Sequence, residues 1–82
     1  MFKVVITDRA LKDIDNLTRD VKKRIASKLK EYLNDPLNYA RKLTDPKIGT
    51  YRFRIGDYRV IFDIEAETII VLRIGHRKDI YK

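Results

Sequence analysis

The segment from Tyr51 to Phe62 constrains the fold most, because it predicts a β-hairpin with its turn at Gly56-Asp57. Aromatic or branched side chains alternate with polar ones on both sides of the turn, which is the period of a half-buried strand. Glycine suits the first position of a two-residue turn because it tolerates a positive φ. The turn pairs the apolar residues of the two strands on one face: Ile55 with Tyr58, Phe53 with Val60, and Tyr51 with Phe62.

The opposite face of this hairpin brings Arg54 against Arg59, with Arg52 two residues away. Like charges directly opposed across two strands destabilise a sheet. Because the fold gains nothing from this arrangement, we favour an anion-binding face over a solvated strand face. Arginine suits the purpose, since its planar donor fork matches phosphate and stays charged at every relevant pH.

Length and composition limit the remaining possibilities. The chain has 82 residues, which predicts a single domain over residues 1–82. Its 19 Lys and Arg against 12 Asp and Glu give a net charge of +7, a bias towards polyanionic partners such as nucleic acid. There is no cysteine and one histidine, so we expect no disulfide, no metal site and no cofactor.

The sequence contains no pattern typical of membrane insertion or export. The longest apolar run, Ile69 to Leu72, is far too short to span a bilayer. Met1-Phe2-Lys3 leads directly into a strand-like segment without the pattern of a signal peptide. We therefore expect a cytoplasmic protein with no membrane partner.

The first half of the chain predicts one strand and two helices. Phe2–Ile6 is rich in β-branched residues, and apolar residues at helical spacing follow over Asp8–Asn16. Thr18 is positioned to cap a second helix that Asp35-Pro36 ends, because the residue before proline avoids the α region. The two helices form an αα-hairpin whose apolar face covers one side of a sheet.

The second half adds strands. Residues 36–48 are interpreted as an irregular connector, and Thr68–Ile74 as a last strand that Gly75 ends. A three-residue turn at 65–67 is favoured, because it pairs Arg59 with Arg73 on the polar face and keeps the charge of Arg73 out of the core. The expected architecture is α+β, in the order β-α-α-β-β-β, with a twisted, mainly antiparallel sheet and the αα-hairpin on one side.

Two residues near the C-terminus are candidates for proton transfer beside the arginines. Histidine exchanges protons readily near neutral pH, which makes His76 a candidate base. Tyr81 is the other, since neighbouring cations favour a phenolate. Cutting RNA needs no metal if such a base deprotonates a 2′-hydroxyl for attack on the adjacent phosphorus. From the residues alone, Tyr81 suits packing of its ring on the sheet equally well, and His76 suits a surface or hydrogen-bonded position.

Two stretches of the sequence resemble the RelE/ParE toxin superfamily, and within it the RelE branch. The first contains Tyr-Arg-Phe-Arg-Ile-Gly-Asp-Tyr-Arg-Val-Ile-Phe at 51–62, and the second reads Val-Leu-Arg-Ile-Gly-His-Arg-Lys-Asp-Ile-Tyr at 71–81. The opening strand, the helical hairpin and Arg41-Lys42-Leu43 agree with the same family. The resemblance therefore covers essentially the whole chain and implies a RelE-like fold.

The resemblance implies a metal-independent, ribosome-dependent endoribonuclease that cuts mRNA in the ribosomal A site. It assigns transition-state stabilisation to Arg59, the leaving group to Arg77, and the general base to Tyr81, whose role His76 shares or replaces. It further implies that Arg52 and Arg54 hold phosphate. From their places in the chain, Arg73 and Lys42 are further candidates for binding phosphate.

The resemblance also implies partners and leaves alternatives open. Relatives are held inactive by a small antitoxin that binds operator DNA, and a RelB-like, acidic antitoxin would suit a surface of +7. The first alternative is a ParE-type inhibitor of DNA gyrase with the same fold. The second is a non-catalytic nucleic-acid-binding module, which leaves the C-terminal residues without a purpose.

Overall fold

The computed structural model describes residues 2–45 and 47–81; Met1, Pro46 and Lys82 lie outside the described residues. The elements in chain order are β1 (Lys3–Ile6), α1 (Asp8–Asp15), α2 (Arg19–Tyr32), α3 (Pro36–Tyr39), β2 (Arg41–Lys42), β3 (Tyr51–Ile55), β4 (Tyr58–Glu65) and β5 (Thr68–His76). They form one sheet with the strand order β1-β5-β4-β3-β2. Only β1 and β5 run parallel among the pairs of described strands. The predicted α+β class and mainly antiparallel sheet are confirmed.

Both main helices begin where the sequence predicts. Thr7 and Thr18 have extended backbones, and their hydroxyls accept hydrogen bonds from the N–H groups of Ala10 and Val21 at 3.2 and 3.4 Å. Caps of this kind stabilise a helix by about 1 kcal/mol. Ala10 on α1 and Ile25 on α2 are buried against the sheet, so the helical hairpin covers one of its faces.

The core lies between the helices and this face of the sheet. The rings of Phe53 and Phe62 stack with centroids 4.3 Å apart, and neither residue is exposed to solvent. Val60, Val71 and Ile74 extend the same buried cluster. No helix in the described residues is long and apolar enough to span a membrane.

The β3–β4 hairpin has the predicted register. Ile55 pairs with Tyr58, Arg54 with Arg59 and Tyr51 with Phe62. Gly56 has a φ of 58°, which confirms the reason for a glycine at the first turn position.

The prediction of a three-residue turn between β4 and β5 is wrong. Glu65 pairs with Thr68, so the turn has two residues, and the ladder shifts between Ile61 and Phe62. Phe62 pairs with Val71 but Ile61 pairs with Arg73, which leaves Leu72 as an extra residue on β5. This bulge lets both Val71 and Ile74, three residues apart, join the buried face.

The bulge also corrects two further predictions. Arg59 pairs with Gly75, not with Arg73, and β5 continues through Gly75 to His76. Gly75 is therefore a member of the strand and does not end it.

The predicted connector over 36–48 contains two short elements. Pro36 stands at the start of α3, a position where its missing N–H costs nothing. In β2, Arg41 pairs with Arg52 and adds a fifth strand. Beyond it Gly49 has a φ of 151°, and a Cβ there would lie 2.6 Å from Ile61 Cγ2. The chain therefore passes directly over the sheet at this glycine, on the face away from the helices.

Candidate active site

The arginines of the hairpin lie together on the face of the sheet that the helices leave open. Arg54 and Arg59 are direct cross-strand partners, and Arg52 is the partner of Ile61. The chain at Gly49 packs on Ile61 and covers that part of the open face. The arginines lie on the remaining part of the same face. The predicted opposition of like charges is therefore present in the fold.

Arg59 is the buried member of this group, with 8% of its surface exposed. Its Nη1 donates hydrogen bonds to the carbonyl oxygens of Gly56 and Tyr58, both at 2.9 Å. These are the only side-chain hydrogen bonds of Arg59 within residues 2–45 and 47–81. A guanidinium has five N–H donors, so the bonds fix its position and leave Nε and Nη2 for a bidentate acceptor.

The electrostatic surroundings of Arg59 connect the hairpin with the C-terminus. Burial lowers the pKa of Arg59, and the positive charges of Arg52, Arg54 and Arg77 lower it further. Tyr81 acts in the opposite direction and raises the pKa of Arg59. Guanidinium nevertheless remains protonated in proteins. The site is therefore a concentration of positive charge that an anion would stabilise.

A groove of about 450 Å³ lies over this cluster. It is lined by Lys42, Leu43, Thr44, Arg52, Arg59 and Tyr81. Lys42, Arg52, Arg59 and Tyr81 all belong to the predicted site, although the sequence separates Lys42 from Tyr81 by most of the second half of the chain. Three cationic side chains and one phenol around a single cavity are suited to hold a phosphodiester.

Tyr81 reaches this groove by a turn whose first residues lie beside the tip of the hairpin. The N–H of Arg77 donates to the carbonyl oxygen of Asp57 at 2.7 Å, and the Arg77 guanidinium lies 3.6 Å from the Asp57 carboxylate. Ile80 is buried, with its Cδ1 3.4 Å from the position of a Cβ at Gly75. Since both charged side chains are largely exposed, their ion pair is weak.

Four predicted site residues are not among those that line the groove: Arg54, Arg73, Arg77 and His76. His76 lies on the other face of the sheet. It pairs with Tyr58 at the end of β5, and the two rings meet edge to face with centroids 5.4 Å apart. It lines a different cavity, of about 350 Å³, together with Asp13 and Arg73. Tyr81, and not His76, therefore shares a cavity with Arg59.

Arg73 is likewise not among the residues that line the groove. Its Nε donates to Asp13 Oδ2 at 2.8 Å, and the same oxygen accepts a hydrogen bond from the N–H of Ile74 at 3.0 Å. Burial raises the pKa of Asp13, but these two bonds and the charge of Arg73 outweigh it and lower that pKa overall. The expectation that Arg73 is the partner of Arg59 is wrong, because the bulge at Leu72 pairs it with Ile61. Its guanidinium is held by Asp13 of α1 and not by the arginine cluster.

The structure adds Arg41 to the arginine face. As the direct partner of Arg52, it gives a second pair of opposed arginines beside Arg54 and Arg59. Its neighbour Lys42 was predicted as a phosphate-binding residue, whereas Arg41 was not. A strand of two residues is too short to show a periodic pattern in the sequence. Among the described residues, no three His, Asp or Glu side chains group as they would around a metal ion.

Comparisons with known proteins agree with this geometry. The family model described as the ParE toxin of the parDE type II toxin–antitoxin system matches residues 4–81. Toxin RelE3 of Methanocaldococcus jannaschii is 34% identical over 96% of this chain and 94% of its own length.

Two solved structures have the same fold. The toxin–antitoxin complex RelBE2 of Mycobacterium tuberculosis has a chain that matches with a TM-score of 0.82 and 25% identity, over 93% of this chain and 98% of its own. The RelB–RelE antitoxin–toxin complex of Methanococcus jannaschii matches with a TM-score of 0.72 and 30% identity, over 94% of both chains. The chain therefore belongs to the RelE/ParE superfamily of toxins of type II toxin–antitoxin systems.

Proposed function

We propose that this toxin is a ribosome-dependent endoribonuclease that cuts mRNA in the ribosomal A site. The observation that supports this most is the groove in which the buried, pre-oriented Arg59 lies with Arg52 and Tyr81. A surface that only bound phosphate would need the arginines but not a proton acceptor beside them.

The proposed reaction is an internal phosphoryl transfer. Tyr81, as phenolate, takes the proton of the 2′-hydroxyl while the 2′-oxygen forms a bond to the adjacent phosphorus. The bond from phosphorus to the 5′-oxygen breaks, and Arg77 stabilises or protonates the leaving oxygen. The products are a 2′,3′-cyclic phosphate, which can open to a 3′-phosphate, and a 5′-hydroxyl. No step uses a metal ion.

The arginines supply the electrostatic part of this mechanism. Negative charge increases on the phosphorus oxygens in the transition state, and donors that are already fixed stabilise it without reorganisation. Arg59 fits this role because its Nη1 is held by two carbonyl oxygens. Arg52 and Lys42 line the groove and hold the phosphate, and Arg54, the partner of Arg59, adds to the positive charge beside it.

We expect a cognate antitoxin as the second partner, of the RelB type and acidic in character. Two of the matching structures are complexes of a RelE-type toxin with its antitoxin. An apolar groove of about 250 Å³ between the helices and the sheet would suit a segment of such a protein. The free edge of β1, with Val4, Val5 and Ile6 all exposed, offers a site for strand addition. Contact with operator DNA would then be indirect, through the antitoxin.

The test is a single-turnover assay with purified ribosomes carrying a defined codon in the A site. Wild-type toxin is expected to cut within that codon and to leave the same mRNA intact when ribosomes are omitted. Arg59→Ala and Tyr81→Phe are expected to lower the rate by about 10²–10³-fold, the size typical of losing one such stabilising or proton-transfer group.

A matched control is Lys12→Ala, which removes one positive charge from an exposed position on α1. Its rate is expected to equal that of wild type. Equal losses for Lys12→Ala and Arg59→Ala would reduce the role of Arg59 to net charge and contradict the proposed site.

A second candidate function is ParE-type inhibition of DNA gyrase, favoured by the family model that matches residues 4–81. It needs a protein surface and no base beside a phosphate site. Intact mRNA on ribosomes, together with loss of gyrase supercoiling activity when the toxin is added, would replace the first proposal by this one. If neither activity appears, a non-catalytic module becomes the best account.

A further inference from the structure

The segment 76–81, here called the C-terminal turn, brings Tyr81 to the groove. The carbonyl oxygen of His76 accepts hydrogen bonds from the N–H groups of Asp79 and Ile80 at 2.9 and 3.0 Å. The side chain of His76 accepts a third, from the N–H of Lys78 to Nδ1 at 3.1 Å. His76 thus holds this turn through both its backbone and its ring.

The ring bond has the geometry of an N-cap. In such a cap a side chain accepts from the backbone N–H two or three residues later, while its own carbonyl oxygen begins the turn. His76 meets both conditions through Lys78 and Ile80. To accept this bond Nδ1 must carry no proton, so the ring proton of the neutral imidazole is on Nε2.

The ring lies on the side of the sheet away from the reacting groups. Cross-strand partners share a face, so His76 lies on the face of Tyr58. That face packs on the helices, whereas Arg59 and its partner Gly75 lie on the other. Edge-to-face contact with the Tyr58 ring fixes the orientation in which Nδ1 meets the Lys78 N–H.

We propose that His76 is a positioning residue, which caps the C-terminal turn and thereby holds Tyr81 against Arg59, and is not itself the base. This inference rests on the proposed function. Within the described residues, the C-terminal turn has one apolar anchor, Ile80 against Gly75, and Tyr81 follows directly after it. If the cap is lost, Ile80 stays packed but the residues around it become mobile. The distance between the Tyr81 hydroxyl and the phosphate is then no longer fixed.

The test compares His76→Asn with His76→Ala in the full chain. Asparagine is among the best N-cap residues and accepts readily from the N–H two residues later, but it is no general base. Both variants lose the contact with Tyr58, so they differ in the cap alone. Two quantities are measured: the single-turnover rate on ribosome-bound mRNA, and the hydrogen-exchange protection of the Lys78 and Ile80 amides.

His76→Ala is expected to lose amide protection and to lower the maximal rate by on the order of 10²-fold, the cost of a misplaced catalytic group. The substrate concentration at half-maximal rate should stay nearly unchanged, because the arginines remain. His76→Asn is expected to restore both protection and rate. A His76→Asn variant that keeps its amide protection but is as slow as His76→Ala would overturn the proposal and assign His76 to the chemistry.

A second variant keeps the proposal testable if His76→Ala does not fold. Lys78→Pro removes the donor N–H at a position near the start of a turn that tolerates proline, while the imidazole stays in place. It is expected to reproduce the slow rate, and a rate equal to wild type would refute the cap. If wild type itself does not cut ribosome-bound mRNA, the proposed function fails, whereas the protection of the Ile80 amide in the four proteins still tests the cap.

Discussion

Arg59 on β4 is the cross-strand partner of Gly75 on β5, and Ile80 Cδ1 lies 3.4 Å from where a Cβ at position 75 would be. The glycine therefore joins the two halves of the site. Across the ladder it pairs with Arg59, whose guanidinium is buried. Because it has no side chain, Ile80 can pack against it, and Tyr81 then lies beside the groove.

Gly75→Val is expected to displace Ile80 and lower the single-turnover rate on ribosome-bound mRNA by on the order of 10²-fold. The reason is steric, because the Cβ alone would already lie 3.4 Å from Ile80 Cδ1 and the added methyl groups would overlap it. Gly75→Ala is the control, since a single Cβ at that distance is an ordinary contact. Full activity of Gly75→Val would show that Ile80 does not position Tyr81.

Arg54→Thr is expected to stabilise the fold by about 0.5 kcal/mol while it weakens binding of RNA. The gain comes from removing one of two like charges that face each other at Arg54 and Arg59. Unfolding in urea measures it, and the gain should shrink at high salt because screening weakens the repulsion. Arg54→Lys keeps the charge and should show no gain. A loss of stability in Arg54→Thr would mean that the opposed pair is not a cost to the fold.

Asp13→Asn is expected to lower the free energy of unfolding by about 2 kcal/mol near neutral pH, because the carboxylate accepts from Arg73 and from the N–H of Ile74. Since the pKa of Asp13 is lower in the folded state than in the unfolded chain, its contribution is complete above the ordinary Asp value of about 3.9. It is lost as the pH falls through the folded value.

The difference between wild type and Asp13→Asn should therefore shrink in acid, where the protonated carboxyl resembles the amide. Asp15→Asn, exposed on the same helix, is the control and should show no such pH dependence. A difference that stayed constant from neutral pH into acid would rule out a charge effect at Asp13.

The first hairpin could be predicted from the sequence, whereas the second could not. Gly56 marks its turn, and alternation fixes the register because a slip by one residue would turn every side chain to the other face. In the second hairpin the turn has no glycine, and the bulge at Leu72 changes the face of every later residue. The prediction from turn length alone therefore paired Arg59 with Arg73, whereas its partner is Gly75.

Ala66 in that second turn has a φ of 54°, close to the 58° of Gly56 in the first. A residue with a Cβ is disfavoured there, so Ala66→Gly is expected to stabilise the protein by about 0.5 kcal/mol in spite of the added freedom of the unfolded chain. Thermal unfolding measures the change, with Ala26→Gly in α2 as a control that should be destabilised by about 1 kcal/mol. A destabilised Ala66→Gly would be incompatible with this turn.

The charged part of the site was predictable for a related reason. Arg52, Arg54 and Arg59 follow from strand alternation, which needs only the turn at Gly56. The positions of His76 and Tyr81 depend on the contact between Ile80 and Gly75 and on the hydrogen bonds of the C-terminal turn. No periodic sequence pattern indicates either of them. Arg41 was missed because a strand of two residues is defined by its partner β3 and not by its own sequence.

The most direct measurement is the cleavage of ribosome-bound mRNA in which the nucleotide 5′ to the cut carries hydrogen in place of its 2′-hydroxyl. If the Arg59–Tyr81 groove promotes attack by that oxygen, the deoxy message stays intact at that bond while the all-ribose message is cut to a 2′,3′-cyclic phosphate and a 5′-hydroxyl. Cleavage of both messages at the same bond and the same rate would contradict the account.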